Sequence, residues 1–550
     1  MSLESAPQVA PAVPTAGEGL FVRNATGLVR SVRPWQAMLI NYITGAPMFL
    51  IGVSLFAALS AFPGGSFPLA ALLTFPLAMS VVYSFGLMTA AMPRTGGDYV
   101  LVSRILHPAA GIVSSVCMSF STFLSIAFEG IAFTTLGLAP SLTVVGLISG
   151  NHTLFNWGNT ISSSHTWQFV LGGACIVSSL VIISSGWRWM KRIIIGLLAF
   201  SLLGLVFSAI VALFTSQATF ISHFNSFAQP YTHSSHTYGG ILASAQKHGV
   251  ALHPAFSFSN TIPIVGVFAG TSIYAYWSTF FAGEMRQAGT GKTMSRMGLA
   301  AAMILVSAAI FSLIFFSGWG KGFMSALFGG GNVPASLGTA PPSYFYLTSA
   351  QFGSTLVALL LCVSFLVFFP IWMAQTVLQP PRTFFAWAFD GIAPKVITKV
   401  SDRGVPTVAT IVTAVLTLAC YAWAIYIAKN LFQVIVYATL IQLVAHTLVG
   451  ISAIAFPFRR PAFYRGSVSN RSFLGVPVTV FAGIGALFTT AFLYFCYFHW
   501  SFFGLANRGS FFIWLGGCIL VGVLWYVGAV AIRRRAGIDV SRVYGEIPPE

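Results

Sequence analysis

The strongest constraint on this chain is a succession of apolar blocks about 20 residues long, the length an α-helix needs to cross a hydrocarbon layer about 30 Å thick. Of 550 residues, 56% are hydrophobic and 7% are charged. A soluble domain carries roughly 25% charged residues. A chain this long has too few polar groups to cover a water-facing surface, so a soluble globule is excluded. The 53 Gly and 51 Phe suit a membrane bundle, where Gly lets helices approach closely. The expected fold class is an all-α integral membrane protein with about 12 transmembrane helices.

Twelve spans are expected at 35–59, 67–91, 109–137, 166–185, 193–214, 262–283, 296–317, 352–378, 406–428, 430–456, 476–498 and 510–532. The basic residues test this count. With both termini on one side, that side takes Arg23, Arg30, Arg33, Arg94, Arg104, Arg188, Lys191, Arg192, Arg286, Lys292, Arg296, Arg382, Lys395, Lys399 and Arg403. It also takes Arg459, Arg460, Arg465, Arg471, Arg533, Arg534, Arg535 and Arg542, in all 23 of the 27 Lys and Arg residues. Lys247, Lys321, Lys429 and Arg508 fall opposite. A missed span would scramble this alternation, and the positive-inside rule puts both termini in the cytoplasm. The net charge of +17 is therefore a matter of topology, not a sign of nucleic-acid binding.

The N-terminus is not expected to be a signal peptide. Residues 1–20 hold Glu4, Glu18 and several Pro and Gly, with no apolar core of a signal peptide. Residues 1–34 are expected to be a disordered cytoplasmic tail, 35–533 the transmembrane domain, and 534–550 a second cytoplasmic tail. The outer segments 138–165, 215–261 and 318–351 are rich in Ser, Thr, Gly, Asn and Pro and are expected to be loops. The six Cys all lie in apolar segments without a CxxC pair, so no metal, cofactor or disulfide framework is expected.

Three stretches carry a family pattern. After span 2 stands Met92-Pro-Arg-Thr-Gly-Gly-Asp-Tyr99, continuing to His107-Pro108. After span 8 stands Arg382-Thr-Phe-Phe-Ala-Trp-Ala-Phe-Asp-Gly-Ile-Ala-Pro394, then Val405-Pro406. At the end of span 6 stands Phe281-Ala-Gly-Glu-Met-Arg286. Together they resemble the signatures of the amino acid–polyamine–organocation permease superfamily, over roughly residues 30–530. The chain departs from the pattern with His107 for a Gly and with Gln287-Ala288 where Asn-Pro is usual.

The resemblance implies a LeuT-like core of two inverted five-helix repeats, 35–214 and 262–456, with two peripheral helices in 476–533. In such folds the first helix of each repeat is broken at mid-membrane. Freed N–H groups and half-helix ends bind an anionic substrate group, and freed carbonyls bind cations. The implied substrate contacts are Thr44, Gly45, Ala46 and Pro47 in span 1, and Gly270, Thr271, Ser272, Tyr274 and Trp277 in span 6. The alternatives are a plain proline kink in span 1 and packing aromatics in span 6. The family's unwound segment of span 6 falls at Gly270–Tyr274 by counting back from Gly283. Asp98, Glu284, Arg382 and Asp390 are implied as cytoplasmic gate residues, against the plainer reading of surface charges worth ~0–1 kcal/mol each.

Glu129 is the one carboxylate deep in a span. Burying it costs several kcal/mol unless it is paired, protonated or hydrated, so a functional role is the default. Three roles are open: proton carrier, partner for a substrate amine, or a structural hydrogen bond. His446 in span 10 is more simply a packed residue. The Lys that proton-coupled relatives often carry in span 5 is replaced by Ser201. Sodium coupling would draw on Ser364. The function implied is secondary active transport of amino acids or related amines by alternating access, proton-coupled through Glu129. Exchange, sodium coupling, or a channel or solute sensor on the same fold stand as alternatives. No HExxH, GxSxG, Walker A or paired carboxylates within a span point to an enzyme or an ATP-driven pump. The expected partners are a small solute, a co-transported proton or sodium, and membrane lipid.

The outer segments hold no Asp or Glu, yet they hold His152, His165, His223, His233, His236, His248, His253 and His499. Chance in a carboxylate-poor chain is one reading. The other is the plasma membrane of an acidophilic prokaryote, because carboxylates protonate near ~4 while His is charged well below ~6.5. On that reading, uptake by the reconstituted protein is fastest with acid outside. An optimum at an external pH of ~7–8, where His is neutral, would count against it.

Overall fold

The computed structural model describes residues 28, 30–329, 332–338, 342–428, 430–505, 507–537 and 539–545. The expected tail 1–34 lies mostly outside them, as do residues 546–550. Among the described residues, eleven helices are long and apolar enough to cross a membrane. In chain order they are span 1 (Pro34–Ala61), span 2 (Phe67–Ala91), span 3 (Pro108–Ser149), span 4 (His165–Ser184) and span 5 (Trp187–Phe214). Span 7 (Gly291–Trp319), span 8 (Thr355–Phe389), span 9 (Thr407–Ala428), span 10 (Leu431–Arg459), span 11 (Val478–His499) and span 12 (Arg508–Arg535) follow. Span 6 is missing from that set because it is interrupted: an α-helix, Phe258–Ser272, gives way to turns and short 3₁₀ pieces, Trp277–Phe280 and Ala282–Glu284. The protein is thus an all-α membrane protein with twelve membrane segments, one of them broken through its second half. Interrupted helices open both halves of the chain, and the third helix of each half, span 3 or span 8, is long. This is the layout of a five-plus-five repeat followed by two further helices.

Helix ends follow local chemistry. Ser66, Asn430 and Asn507 accept hydrogen bonds from the first turns of spans 2, 10 and 12, and Pro34 and Pro108 stand at first helical positions where no N–H is needed.

The outer segments are not loops. They contain helices His152–Ser163, Gln217–Thr232, Thr237–Lys247, Lys321–Phe328 and Tyr344–Phe352, and span 3 itself runs on to Ser149 through a π-helical turn at Phe133–Leu138. The Ser and Asn residues that suggested loops serve as caps. Asn151 accepts from the N–H groups of Thr153 and Leu154, and Ser216 from that of Thr219. The apolar faces then close on one another: Phe220 and Phe224 are buried, and Tyr238 stacks on Phe323 with ring centroids 4.1 Å apart.

Inside the bundle, span 10 packs on spans 3 and 11, span 7 on spans 1 and 2, and span 12 on span 3. A β-carbon added to Gly483 would lie 2.5 Å from the Gly450 carbonyl oxygen, so spans 10 and 11 meet backbone to backbone. Polar side chains join the rest. Gln379 of span 8 accepts from Thr122 (2.9 Å) and donates to Ser119 (3.1 Å), both on span 3. Ser121 of span 3 donates to Gln442 of span 10 (3.1 Å). Spans 3, 8 and 10 form a cross-linked frame around the two interrupted helices.

Candidate functional site

Span 1 breaks where its sequence cannot propagate a helix. Pro47 lacks the N–H that would bond back one turn, and its ring crowds the preceding carbonyl. The first helix ends at Thr44, Ala46 takes a left-handed conformation (φ 49°, ψ 49°), and Pro47 starts the next helical piece. Alanine in that region carries strain of roughly 1–2 kcal/mol, which the surrounding packing must hold. Gly45 has no room for a side chain: a β-carbon there would lie 3.2 Å from the Thr271 carbonyl oxygen and would overlap Ile304. The break in span 1 therefore sits directly against span 6.

Span 6 stays helical through Gly270, Thr271 and Ser272, and its turns run from Ile273 to Tyr276. The interruption thus lies at the C-terminal edge of the expected Gly270–Tyr274 stretch. The reason is tertiary. Tyr276 stacks on Phe85 of span 2 (centroids 3.7 Å apart), and its hydroxyl lies 2.6 Å from Nε2 of His446 in span 10. Two residues on, the Ser278 N–H donates to Oδ1 of Asn41 (2.7 Å), and Nδ2 of Asn41 donates to the Ser278 hydroxyl (3.0 Å). One side chain of span 1 thereby satisfies backbone that the break in span 6 sets free. The Thr44 hydroxyl donates to the Ile40 carbonyl, and those of Thr271 and Ser272 to the Phe268 carbonyl, so their oxygens keep acceptor capacity.

Aromatic rings surround the breaks. Phe49 lies 5.5 Å from both Phe128 of span 3 and Trp372 of span 8. Trp277 donates from Nε1 to the Gln375 carbonyl of span 8 (2.8 Å), with Tyr274 edge-on to it. The Gln375 side chain is fully buried, and both of its amide atoms lack a partner among the described residues. Buried polar atoms are ordinarily satisfied, so an unsatisfied amide beside two broken helices is a candidate ligand contact that the sequence alone did not single out.

Glu129 follows Phe128 and is turned about 100° round the helix from it. It faces span 8: Oε1 accepts from the Thr376 hydroxyl (2.8 Å), while Oε2 is buried without a hydrogen-bond partner among the described residues. Among the described residues it has no ion-pair partner. Ser364 is not brought to this group. It donates to the Leu361 carbonyl and lies against Gly204 of span 5.

The basic end of the bundle is closed by buried charges. Glu284 accepts from Arg382 Nε (3.0 Å) and Nη2 (3.3 Å) and also from the Trp187 indole, with Arg382 and Glu284 nearly inaccessible. Asp390 pairs with Arg104 at 2.6 Å and accepts from the Tyr99 hydroxyl at 2.7 Å. Asp98 accepts from Ser114 at 2.5 Å. Burial, partly offset by hydrogen bonds from Ser114 and backbone, pushes its carboxyl up from 3.8 to about 7. The Gly96-Gly97 turn seats span 6: Gly96 N–H donates to the Phe280 carbonyl (3.0 Å), and Gly97 has φ 52° with the Phe280 ring where a β-carbon would stand. Of the four expected gate residues, Glu284 and Arg382 are brought together. Asp390 and Asp98 go to Arg104 and Ser114, which the sequence had not paired with them.

The sequence model of a family described as "Amino acid permease" matches residues 35–525. No curated protein matches the chain.

Two outcomes follow from the charges. Arg382→Ala leaves Glu284 buried without its cation, and a loss of ~3–5 kcal/mol in stability is expected. Adding Glu284→Gln should recover part of it; a double variant as unstable as the sum would show that the two groups act independently. For Asp98, the folded value of about 7 lies above the ordinary 3.8. Its contribution to stability is full below 3.8 and is lost as pH rises through about 7. In thermal melts between these limits the wild type should lose stability relative to Asp98→Asn, by an amount on the order of 1–4 kcal/mol. Parallel curves would remove Asp98 as the titrating group.

Proposed function

The chain belongs to the amino acid permease family, and from that premise we propose that it is a secondary active carrier of amino acids or related amines, coupled to protons through Glu129. A member of this family is a multi-pass membrane transporter of small molecules and not an enzyme. The finer reading is ours: uptake across the plasma membrane, with both termini in the cytoplasm. The acidic-exterior reading of the outer histidines belongs to the same proposal.

The observation that carries the coupling role is Glu129 itself. It is a buried carboxylate held by one hydroxyl, with a second oxygen unpartnered and no ion-pair partner among the described residues. Such a group inside a membrane marks a proton or ion pathway by default. It lies on the frame helix beside Phe128, which touches the break in span 1, so a change of charge there can be felt at the substrate site. The aromatic rings of Phe49, Trp372 and Trp277 would enclose the solute's organic part, with an amine taking a cation–π contact. Gln375 and the backbone of the turns Ile273–Tyr276 would hold its polar groups, beside Ala46, whose own N–H and carbonyl are bonded to Ile43 and Leu50. Thr44, Gly45, Pro47, Gly270, Thr271, Ser272 and Tyr274 belong to the same proposed site. Opening toward the cytoplasm requires Arg382 to release Glu284 as spans 1, 2, 6 and 7 rock against the frame. Sodium coupling through Ser364 has less support, because that side chain is turned to span 5.

The test is uptake of radiolabelled amino acids and polyamines into proteoliposomes, with and without an inward proton gradient, for wild type and Glu129→Gln. The expected outcome is saturable, gradient-stimulated uptake that the substitution reduces at least about tenfold, as for loss of a required proton carrier. Uptake that ignores the gradient and survives the substitution would discard Glu129 as the coupling group.

A further inference from the structure

We infer that the C-terminal turn Val540–Gly545 is a latch that holds the cytoplasmic face of the transporter closed, a role that rests on the transport reading above. The turn has every reason to be solvated, since it follows the arginines that end span 12. Instead Val540 and Tyr544 are 4% and 3% exposed and pack with Tyr99, Trp387 and Ile392 in a separate apolar cluster.

Tyr544 reaches the buried pair Arg104–Asp390. Its ring lies 5.0 Å from the Arg104 guanidinium carbon, on which Tyr99 also sits at 5.4 Å. Its hydroxyl is 3.2 Å from that of Tyr99. Because the Tyr99 hydrogen is already given to Asp390, Tyr544 is the donor in this contact. The Tyr544 carbonyl accepts from Arg460 Nη2 (3.1 Å), and Arg460 Nε donates to the Arg104 carbonyl (2.6 Å). Upstream, Trp525 donates to the Ile392 carbonyl (3.1 Å) and Arg533 to that of Gly391 (2.5 Å). The chain from span 12 to the turn is therefore tied at four points to the loop after span 8, to the helix Asp98–Ile105 and to the end of span 10.

These ties matter because the helix Asp98–Ile105 begins at the seat of span 6. Thr95 bridges to Phe281, and Gly96 bonds the Phe280 carbonyl. Span 6 cannot swing outward without leaving that seat, and the turn fixes the seat to the frame. The ion pair beneath is incompletely satisfied, since Asp390 Oδ1 and Arg104 Nε have no partner among the described residues. It depends on the Tyr544 ring to keep water away, and withdrawal of the turn would admit water to both charges.

The test uses the full chain in inside-out vesicles, with Thr279→Cys as a reporter in the buried cytoplasmic part of span 6. A membrane-impermeant maleimide labels it in the parent, in Tyr544→Ala and in a chain ending at Gly537. Labelling about tenfold faster in both variants is expected, the shift that loss of one hydrogen bond and one cation–π contact produces. Tyr544→Phe, which keeps the ring and its cation–π contact but loses the hydroxyl, should fall between the parent and Tyr544→Ala. Unchanged labelling in both variants overturns the latch. So does equal acceleration at Cys518 of span 12, which would mean general loosening. If Tyr544→Ala does not fold, Tyr544→Leu asks the same question. Labelling needs no substrate. A chain that transports nothing in the panel yet labels faster loses the transport reading and keeps the latch; one that transports but labels unchanged loses only the latch.

Discussion

The bond between Asn41 and Ser278 is the interaction on which the rest of the site depends. A lipid bilayer offers no water to unpaired backbone groups, so a helix can break at membrane depth only where protein supplies the missing partners. Asn41 has both a donor and an acceptor on one short side chain and uses both on Ser278. Span 1 is thereby held to span 6 at the point where span 6 stops being a helix. Gly45, lying against the Thr271 carbonyl, brings the two breaks into contact. Neither interrupted helix would be tolerable alone.

Around this pair the protein divides its polar groups into two kinds. The frame of spans 3, 8 and 10 is held by amides and hydroxyls that satisfy one another, as Gln379 does with Ser119, Thr122 and Thr383. Such bonds between spans are modest individually, about 0.6 kcal/mol on average, but they fix register. At the centre stand groups without a partner among the described residues: the Gln375 side-chain amide, one oxygen of Glu129 and Nδ1 of His446. A rigid, satisfied frame around an unsatisfied centre is the arrangement in which a bound solute or ion changes the energy of one part without deforming the other.

The basic end of the bundle follows the same logic with charges. Buried ion pairs are weak sources of stability, because desolvation offsets most of their attraction. In the proposed gate their value would be discrimination between states. The Arg382–Glu284 pair joins span 6 to span 8, and the Arg104–Asp390 pair joins the helix after span 2 to the loop after span 8. On the proposed mechanism, closing the face would make these bonds, and opening it would expose both partners to water, where each charge is comfortable. A pair that is nearly neutral in free energy can therefore be broken and remade.

Much of this was legible in the sequence. Apolar blocks and basic loops determined the number of membrane segments, because hydrocarbon thickness and charge placement act on residue type alone. Gly45 and Pro47 announced the break in span 1, since proline's missing N–H is a local property. Glu129 stood out because a carboxylate in an apolar block is costly unless it is paired, protonated or hydrated. Tertiary structure decided the rest. The break in span 6 lies where Phe85, His446 and Asn41 take hold of Tyr276 and Ser278, and no local signal marks those long-range partners. The outer segments are helical because their aromatic faces meet one another, although their polar caps resemble loop composition. Asp98 and Asp390 found Ser114 and Arg104, partners the sequence had not assigned to them, and the turn at Tyr544 found a buried seat. Residue type sets which groups must be satisfied in a membrane; only the packed fold decides which partner, often hundreds of residues away, satisfies them.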